Sequence, residues 1–321
     1  MSHGRVEKVS PDVWGDLLSN SPFRTRFVDP EFIEIFGAPV TYWGLDRKGV
    51  LIAGMPVINA AEFNSRSLPW CYYQGIIYHR EIWRAAPAKR TQYEIEIAEE
   101  LVTAIAEDTD RFSFSLHPSL GDVRGLDWVH YHDPALPRLQ ISPRYTAIVD
   151  LEGANTDGLR AACRSARRQE EGYAIDREEL STNSDGTIGE LAALYLETFE
   201  RQGVSPTREE LEMLPRYAEH FLHAGAGKLL AVRNRNGEAL SIALIFKDYD
   251  GTTHVPIVGT GDTRYGGTLL YFAILDDALA DGAKWVDFNG ANSPKRAYFK
   301  HSMGAKPVLY FDVSYDAGKR S

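Results

Sequence analysis

WVDFNGANSPKRAYFKHSMGAKPV, residues 285–308, begins with an alternating apolar stretch that is typical of a β-strand. It continues through a glycine turn at Gly290 into a short segment that carries Lys295, Arg296 and Lys300, and then reaches a second glycine, Gly304. A strand that ends in a polar, cation-bearing loop is how α/β folds usually present a site. We therefore expect this segment to hold the functional centre of the chain.

The same order of elements is predicted twice along the chain. A hairpin, a strand, a helix and a strand occur with hairpin turns at Gly49 and Gly237 and with late strands at Phe112 and Trp285, about 170 to 190 residues apart. The repeat predicts an α/β fold with two similar subdomains, each a mixed, mostly antiparallel sheet flanked by helices.

The junction is predicted where Pro134, Pro137 and Pro143 interrupt the chain, which gives subdomains over residues 1–143 and 144–321. Within the first, residues 68–78 are predicted as a strand or strand pair, and the strand at 111–116 is predicted to pair with 128–131.

Composition excludes several classes of protein. The chain has 321 residues, 44% of them hydrophobic, and a net charge of −10, which argues against nonspecific coating of nucleic acid. No apolar run approaches the length of a membrane helix, and the two cysteines lack any zinc-binding spacing. We expect a cytoplasmic protein with no metal and no membrane insertion.

Positive charge is nevertheless clustered. A single helix is predicted over residues 156–172, and its arginines would share one face at i, i+4, i+7 and i+8. Together with the cations of 295–300, they suggest a phosphate-bearing ligand, although solvated helix faces would look the same. The helix arginines are Arg160, Arg164, Arg167 and Arg168.

A family resemblance follows from these segments. RYTAIVDLEG (144–153), LRAACRSARRQEEGYAI (159–175), LYLETFERQGV (194–204) and the ending from Gly267 to Pro307 resemble the Fem-type branch of the GNAT acyltransferase superfamily. That branch includes the FemAB-like and BioF2-like proteins and the aminoacyl-tRNA-dependent peptidyltransferases. The resemblance implies a tandem GNAT fold, in agreement with the repeat.

The resemblance also implies a transfer site. The lysine of the Phe-Lys pair becomes Lys300, beside Phe299, as a fixed cation near an oxyanion or a donor phosphate; a lysine at a helix end that reaches solvent is the alternative. Asp287, on the strand of the motif, is a candidate for proton handling, although its alternation also suits an exposed strand face. Candidate substrate-binding residues are Tyr73, Gln74, Asn289 and Tyr298.

No nucleophile motif is present, so direct attack of an acceptor amine on the donor is expected. The stretch from Gly261 to Thr268 is similar to the pyrophosphate loop of GNAT enzymes, with only Arg264 and Gly267 matching it. This mismatch disfavours coenzyme A, and a glycine turn before a helix explains the stretch equally well. Arg264, Lys295 and Arg296 join the helix arginines as candidate phosphate or tRNA contacts.

Three functions remain open. The first is an aminoacyl-tRNA-dependent transferase that forms an amide on a small metabolite or peptide, such as an intermediate of natural-product assembly, with charged tRNA as partner and no bound cofactor. The second is an N-acyltransferase that uses acyl-coenzyme A or an acyl carrier. The third is an inactive double GNAT module that only binds a ligand.

Overall fold

The fold is mixed α/β, as predicted. The computed structural model describes residues 4–58 and 68–318. The elements in the first part of the chain are β1 (Arg5–Val9), α1 (Pro11–Ser19), α2 (Pro30–Glu34), β2 (Val40–Arg47), β3 (Val50–Ile58), β4 (Ile77–Tyr78), α3 (Arg80–Trp83), α4 (Pro87–Asp108), β5 (Arg111–Ser115), α5 (Arg124–Asp127) and β6 (Gln140–Asp150).

The later elements include those of residues 285–308. They are α6 (Thr156–Ala162), α7 (Ser165–Asp176), β7 (Ser181–Asn183), α8 (Ile188–Glu200), α9 (Arg208–His223), β8 (Gly227–Arg233), β9 (Ala239–Lys247), β10 (Thr252–Thr260), α10 (Gly266–Ala280), β11 (Trp285–Asp287), α11 (Pro294–Ser302) and β12 (Lys306–Asp316).

The chain divides into two compact units. The first unit comprises Met1–Arg144 with Leu309–Ser321, and the second comprises Tyr145–Val308. The predicted second subdomain includes the C-terminal residues. They pack in the first unit because Asp312–Asp316 of β12 pair antiparallel with Ser115–Arg111 of β5.

The first unit holds an antiparallel sheet in the order β1-β2-β3-β4. The predicted hairpin β2-β3 is confirmed, and its turn requires left-handed backbone at Lys48 (φ 60°) and Gly49 (φ 81°). The amphipathic helix α4 buries one face, with Ile97, Leu101 and Ile105 inaccessible to solvent.

The second unit is built on strands in the order β6-β11-β10-β9-β8-β7. Among the described residues, the pairs β6-β11, β10-β9, β9-β8 and β8-β7 are antiparallel, whereas β10 and β11 run parallel over Thr252–His254 and Trp285–Asp287. A register shift between His254 and Ile257 separates the start of β10 from its continuation along β9. Strand β11 pairs with β10 only over the residues before this shift, from Thr252 to His254. The loop that follows β11 therefore begins beside the irregular part of β10.

Three local predictions are wrong. Residues 68–78 form only the short strand β4, because Trp70 and Tyr73 adopt left-handed backbone (φ 51° and 54°) that interrupts an extended chain. The expected partner strand at 128–131 consists of turns after α5, and β5 pairs with β12 instead. The single helix at 156–172 is two helices, because Cys163 and Arg164 are extended (ψ 153° and 138°).

Candidate functional site

The loop after β11 is held by one lysine. Lys300 of α11 donates from Nζ to the backbone carbonyls of Phe288 (2.8 Å), Asn289 and Gly290 (3.0 Å). An ammonium has three N–H donors, so these contacts can use all of them. Lys300 therefore ties α11 to the loop, and an oxyanion could accept a hydrogen bond from it only by replacing a carbonyl.

The ammonium of Lys300 lies in a partly desolvated setting. Burial lowers the pKa of Lys300 to about 8, the charge of Asp287 opposes that shift, and the charge of Arg296 adds to it. The group is consequently near its titration point at mildly alkaline pH, while an ordinary lysine stays charged there.

Asp287 ends β11 inside the protein and is 1% exposed, so the expectation of an exposed strand face is wrong. Its Oδ1 accepts from the Thr146 hydroxyl and from the Asn289 backbone N–H (2.8 Å). Its Oδ2 lies 3.7 Å from Nδ1 of His254. Thr146 belongs to β6, the strand paired with β11, so sheet pairing brings the hydroxyl and the carboxylate together.

His254 lies between two carboxylates. Its Nε2 is 3.3 Å from Oδ2 of Asp248, opposite the contact with Asp287, and the histidine is 3% exposed. Burial alone would lower the pKa of His254, but the hydrogen bond and charge of Asp248 and the charges of Asp287 and Asp250 outweigh it and raise that pKa. The imidazole is thereby a buried proton-binding group next to Asp287.

Asn289 connects these groups and is not placed to bind a substrate. It has left-handed backbone (φ 50°), accepts from the Val255 N–H at Oδ1 (3.0 Å) and places Nδ2 3.2 Å from Nδ1 of His254. Asn289 is 1% exposed and connects β10 to the loop through these hydrogen bonds inside the protein. The buried cluster of Asp248, His254, Asp287 and Asn289 is here called the internal polar cluster.

Phe299 packs rather than facing an open site. Its ring lies 5.0 Å from that of Tyr271, and the Cζ atom of Arg167 lies 4.5 Å from its centroid on the other side. Tyr298, the next residue on α11, is 58% exposed. The two neighbours thus point to the interior and to solvent, respectively.

The four helix arginines do not form one phosphate-binding face, because the chain bends at Cys163–Arg164. Arg160 pairs with Asp276 and with Glu171 (2.7 Å), and Arg167 pairs with Glu170 (2.6 Å). Arg168 donates to carbonyls at the end of α6, including that of Cys163 (2.7 Å). These three are committed to internal contacts.

Arg164 and Arg168 are both exposed, but the guanidinium of Arg164 contacts the Tyr298 hydroxyl, with Cζ 5.7 Å from the ring centroid, rather than backbone carbonyls. Lys295 and Arg296 on α11 are also exposed, and Arg296 lies 5.5 Å from the centroid of Phe199. Arg164, Lys295 and Tyr298 are here called the α11 surface.

The glycine stretch before α10 is engaged by the protein itself. The Asp262 N–H donates to Oε1 of Glu197 (2.7 Å), and the Gly266 N–H donates to the Thr263 hydroxyl (3.1 Å). Gly266 has no room for a side chain, because a Cβ there would lie 2.7 Å from the Thr263 side chain. Arg264 is exposed beside the ring of Tyr265.

Tyr73 and Gln74 lie in the first unit. Tyr73 is 3% exposed, with its ring edge-on to Tyr310 at 5.3 Å, so it belongs to the core. Gln74 borders a cavity of about 280 Å³ on the surface of the same unit. Of the two residues predicted together, only Gln74 reaches an open space.

Sequence reasoning missed Thr146 and Asp248, which lie near the buried His254. A lone histidine in a strand gives no local sign of carboxylates that approach it from other elements. The polar residues of the cavity were missed as well, since their alternation on β5 and β12 resembles an ordinary solvated strand face.

Comparison with known proteins agrees with this architecture. Residues 157–301 match the family described as acetyltransferase (GNAT) domain. The chain carries a GNAT acyltransferase domain. The GNAT domain includes the split arginine helices, the glycine stretch, β11 and α11 as far as Lys300.

Similar solved structures extend over the whole chain. FemX shares 13% identity over 96% of each chain with a TM-score of 0.65. L-PGS from Bacillus licheniformis shares 12% identity over 98% of this chain and 94% of that one, with a TM-score of 0.55. A tandem GNAT protein from the clavulanic acid biosynthesis pathway shares 13% identity over 99% and 100%, with a TM-score of 0.54. These structures show a shared fold of the Fem-like, tandem GNAT kind.

No curated protein matches the chain by sequence. Among residues 4–58 and 68–318, no helix combines the length and the apolar character needed to cross a membrane. The same residues contain no group of three or more His, Cys, Asp or Glu side chains able to hold a metal ion.

Proposed function

We propose that the GNAT domain transfers an aminoacyl group from a charged tRNA to an amine of a small metabolite or peptide. The observation that carries this proposal is the α11 surface, where the exposed guanidinium of Arg164, at the start of α7, lies against the exposed ring of Tyr298 on α11, the helix that also bears Lys300. The resemblance to Fem-type enzymes supports the same donor.

The α11 surface has the chemistry of a single-stranded RNA contact. Exposed aromatic rings stack on bases and neighbouring cations contact phosphates, and this combination tolerates any base sequence. Tyr298 offers the ring, Arg164 lies against it, and Lys295 stands one turn earlier on α11. The net charge of −10 makes such a local cationic surface the part of this domain best suited to a polyanion.

The glycine stretch supports the choice of RNA over coenzyme A. A pyrophosphate site at a helix N-terminus needs free backbone N–H groups and a positive field. Here Glu197 occupies the Asp262 N–H, and the Glu170 carboxylate accepts from the Thr268 hydroxyl in the first turn of α10 (2.6 Å). The Glu197 carboxylate opposes a diphosphate here, whereas the charge of Glu170 is offset by its ion pair with Arg167 (2.6 Å).

The reaction needs no covalent enzyme intermediate. The acceptor nitrogen attacks the ester carbonyl of the donor, the C–N bond forms, the C–O bond to the terminal ribose breaks, and the ribose oxygen gains a proton as the nitrogen loses one. The proposed role of Lys300 is to position the loop carbonyls, which sets the shape of the site at the end of β11. Asp287 positions Asn289 within the same loop and is not proposed as a base.

The donor is tested by product analysis. The purified chain is incubated with pooled aminoacyl-tRNAs and a library of small amines, and in parallel with acyl-coenzyme A, and products are detected by mass spectrometry. We expect amide products that need charged tRNA and disappear after ribonuclease treatment. Products that form with acyl-coenzyme A and survive ribonuclease would support the second function instead, and absence of any product with both donors would support a binding module.

The α11 surface is tested by RNA binding. Replacing both residues of its contact pair, Arg164→Ala with Tyr298→Ala, is expected to weaken binding of charged tRNA about tenfold and to reduce the salt dependence by about one ion. Arg208→Ala is the matched control, because Arg208 is exposed in the same unit and pairs with Glu212 of its own helix. Equal affinity of the double variant and the control would remove the α11 surface from the proposal.

A further inference from the structure

In the first unit, the paired strands β5 and β12 have one apolar face and one polar face. Along β5 and β12 the side chains alternate, and the buried face carries Phe112, Phe114, Val313 and Tyr315. The opposite face is polar throughout. In register, its pairs are Ser115 with Asp312, Ser113 with Ser314, and Arg111 with Asp316.

Four residues of this polar face, Ser113, Ser115, Asp312 and Ser314, line the 280 Å³ cavity, together with Phe114 and Val313. The volume lies at the lower end of the roughly 300–1,000 Å³ that ligand pockets span, which suits a molecule with a single small ring. The polar groups around it are four serines, one carboxamide and one ion pair. They belong to Ser113, Ser115, Ser142, Ser314, Gln74, Arg144 and Asp312.

Gln74 is the residue that marks the cavity as a site. It is 5% exposed, and its Oε1 accepts from the Cys71 thiol (3.1 Å), whose pKa is raised by burial so that the sulfur keeps its proton. Among the described residues, no partner is found for its amide nitrogen. The amide nitrogen therefore keeps contact with the solvent of the cavity, where a ligand can accept a hydrogen bond from it.

The position of Gln74 is built into the backbone. Tyr73 adopts left-handed backbone (φ 54°), and Gly75 lies so close to β5 that a Cβ there would be 2.7 Å from the Ser115 carbonyl oxygen. These two constraints hold the carboxamide over the start of the polar face.

Charge within the cavity is balanced. Nε of Arg144 lies 3.1 Å from Oδ2 of Asp312, and the Ser115 hydroxyl donates to Oδ1 of the same carboxylate (2.6 Å). An anion would have to displace Asp312 from Arg144, and a cation would meet Arg144. The remaining groups, hydroxyls and a carboxamide, both donate and accept, which complements a neutral ligand that does the same.

We propose that the first unit binds a neutral, hydroxyl-rich molecule of monosaccharide size in this cavity, with Gln74 and Ser314 among its hydrogen-bonding partners. This site does not depend on the transfer reaction. Its test therefore uses no tRNA and no turnover, and its result is separate from that of the proposed function.

The test is a titration of the full chain with glucose, galactose and mannose, followed by ligand-observed NMR and calorimetry, with glucuronate and glucosamine as charged probes of similar size. We expect saturable binding of at least one neutral sugar and binding of the charged probes at least tenfold weaker. Gln74→Leu is expected to weaken the neutral sugar about tenfold, and Ser314→Ala severalfold, while Ser181→Ala, an exposed serine of the second unit, leaves it unchanged.

The proposal fails if no neutral sugar binds saturably, if glucuronate binds as tightly as glucose, or if Gln74→Leu and Ser314→Ala bind as the unaltered protein does. Should Gln74→Leu unfold, Ser314→Ala decides the outcome alone, because Ser314 is half-buried on a strand surface where a hydroxyl can be removed without repacking the core.

Discussion

Asp287 in the second unit and Asp312 in the first unit use the same chemistry in different settings. Each accepts a hydrogen bond from a hydroxyl, Thr146 or Ser115, and each lies near a basic side chain, His254 or Arg144. The side chain of Asp287 is 2% exposed and that of Asp312 is 37% exposed. Asp287, a carboxylate enclosed by its partners, stabilises the fold. Asp312, a carboxylate on an open polar surface, can take part in binding a ligand.

The largest difference is expected in stability. Asp287→Ala leaves the Thr146 hydroxyl and the Asn289 N–H unpaired in the interior and should lower the free energy of unfolding by about 3–5 kcal/mol. Asp312→Ala should cost about 1 kcal/mol, because water can replace the lost contacts of a half-exposed carboxylate. Urea denaturation of both variants measures the two losses. Equal losses would mean that burial does not separate the two aspartates.

Much of this contrast escapes the sequence. The hairpin at 40–58 and α10 were predictable because their turn glycines and apolar spacing are local signals. The break at Cys163–Arg164 was not, because the helical spacing of the arginines continues across it. Arg160 is neutralised by Asp276, 116 residues away, and no local pattern indicates that contact.

The site divides in the same way. Asp287, Asn289 and Lys300 were predicted from one continuous segment, and the structure brings them together around one loop. Thr146, Asp248 and His254 reach Asp287 or its neighbours only through strand pairing. The cavity depends on the pairing of β5 with β12, whose residues Arg111 and Asp316 are 205 positions apart in the chain. In the sequence, its polar face is therefore visible only as two separate stretches in which polar and apolar residues alternate.

Lys300 tests whether the loop of the second unit is functional as well as architectural. Lys300→Met removes the donor to three carbonyls and should reduce transfer about 100-fold, the loss typical of misplacing a site's geometry. The rate is measured with the donor identified by product analysis. Lys306→Met, at an exposed lysine of the same unit outside the α11 surface, should retain most of the turnover. Full activity of Lys300→Met would show that the loop shape does not matter for transfer.

Gly75 tests the corresponding constraint in the first unit. Gly75→Ala places a Cβ 2.7 Å from the Ser115 carbonyl oxygen and 3.0 Å from the Phe114 ring, which should cost about 1–3 kcal/mol and displace Gln74 from the cavity. Gly121→Ala is the control, since nothing lies within 4 Å of a Cβ there. Thermal unfolding measures the cost. Unchanged stability of Gly75→Ala together with unchanged sugar binding would mean that the loop has room to shift.

The smallest effect is expected when the transfer rate is measured as a function of pH. The direction in which the rate changes identifies Lys300 as the group responsible. With a pKa of about 8 for Lys300, the ammonium is half deprotonated at pH 8 and about nine-tenths deprotonated at pH 9, so transfer should fall about twofold and then about tenfold as donors to the loop carbonyls are lost. Lys300→Arg keeps its charge and should lack this alkaline decline.

Stability should move in the opposite direction over this range. The pKa of Lys300 is lower in the folded chain than the ordinary 10.5, so the unfolded chain binds more protons between pH 8 and 10.5, and the contribution of Lys300 to the free energy of unfolding rises with pH there. Below pH 8 both states are protonated and that contribution is smallest. The Lys300 contribution is measured as the difference in free energy of unfolding between the unaltered protein and Lys300→Arg. If the transfer rate falls while this contribution rises, the rate is lost through deprotonation of the ammonium and not through unfolding. If both decline together, the pH effect is due to loss of structure.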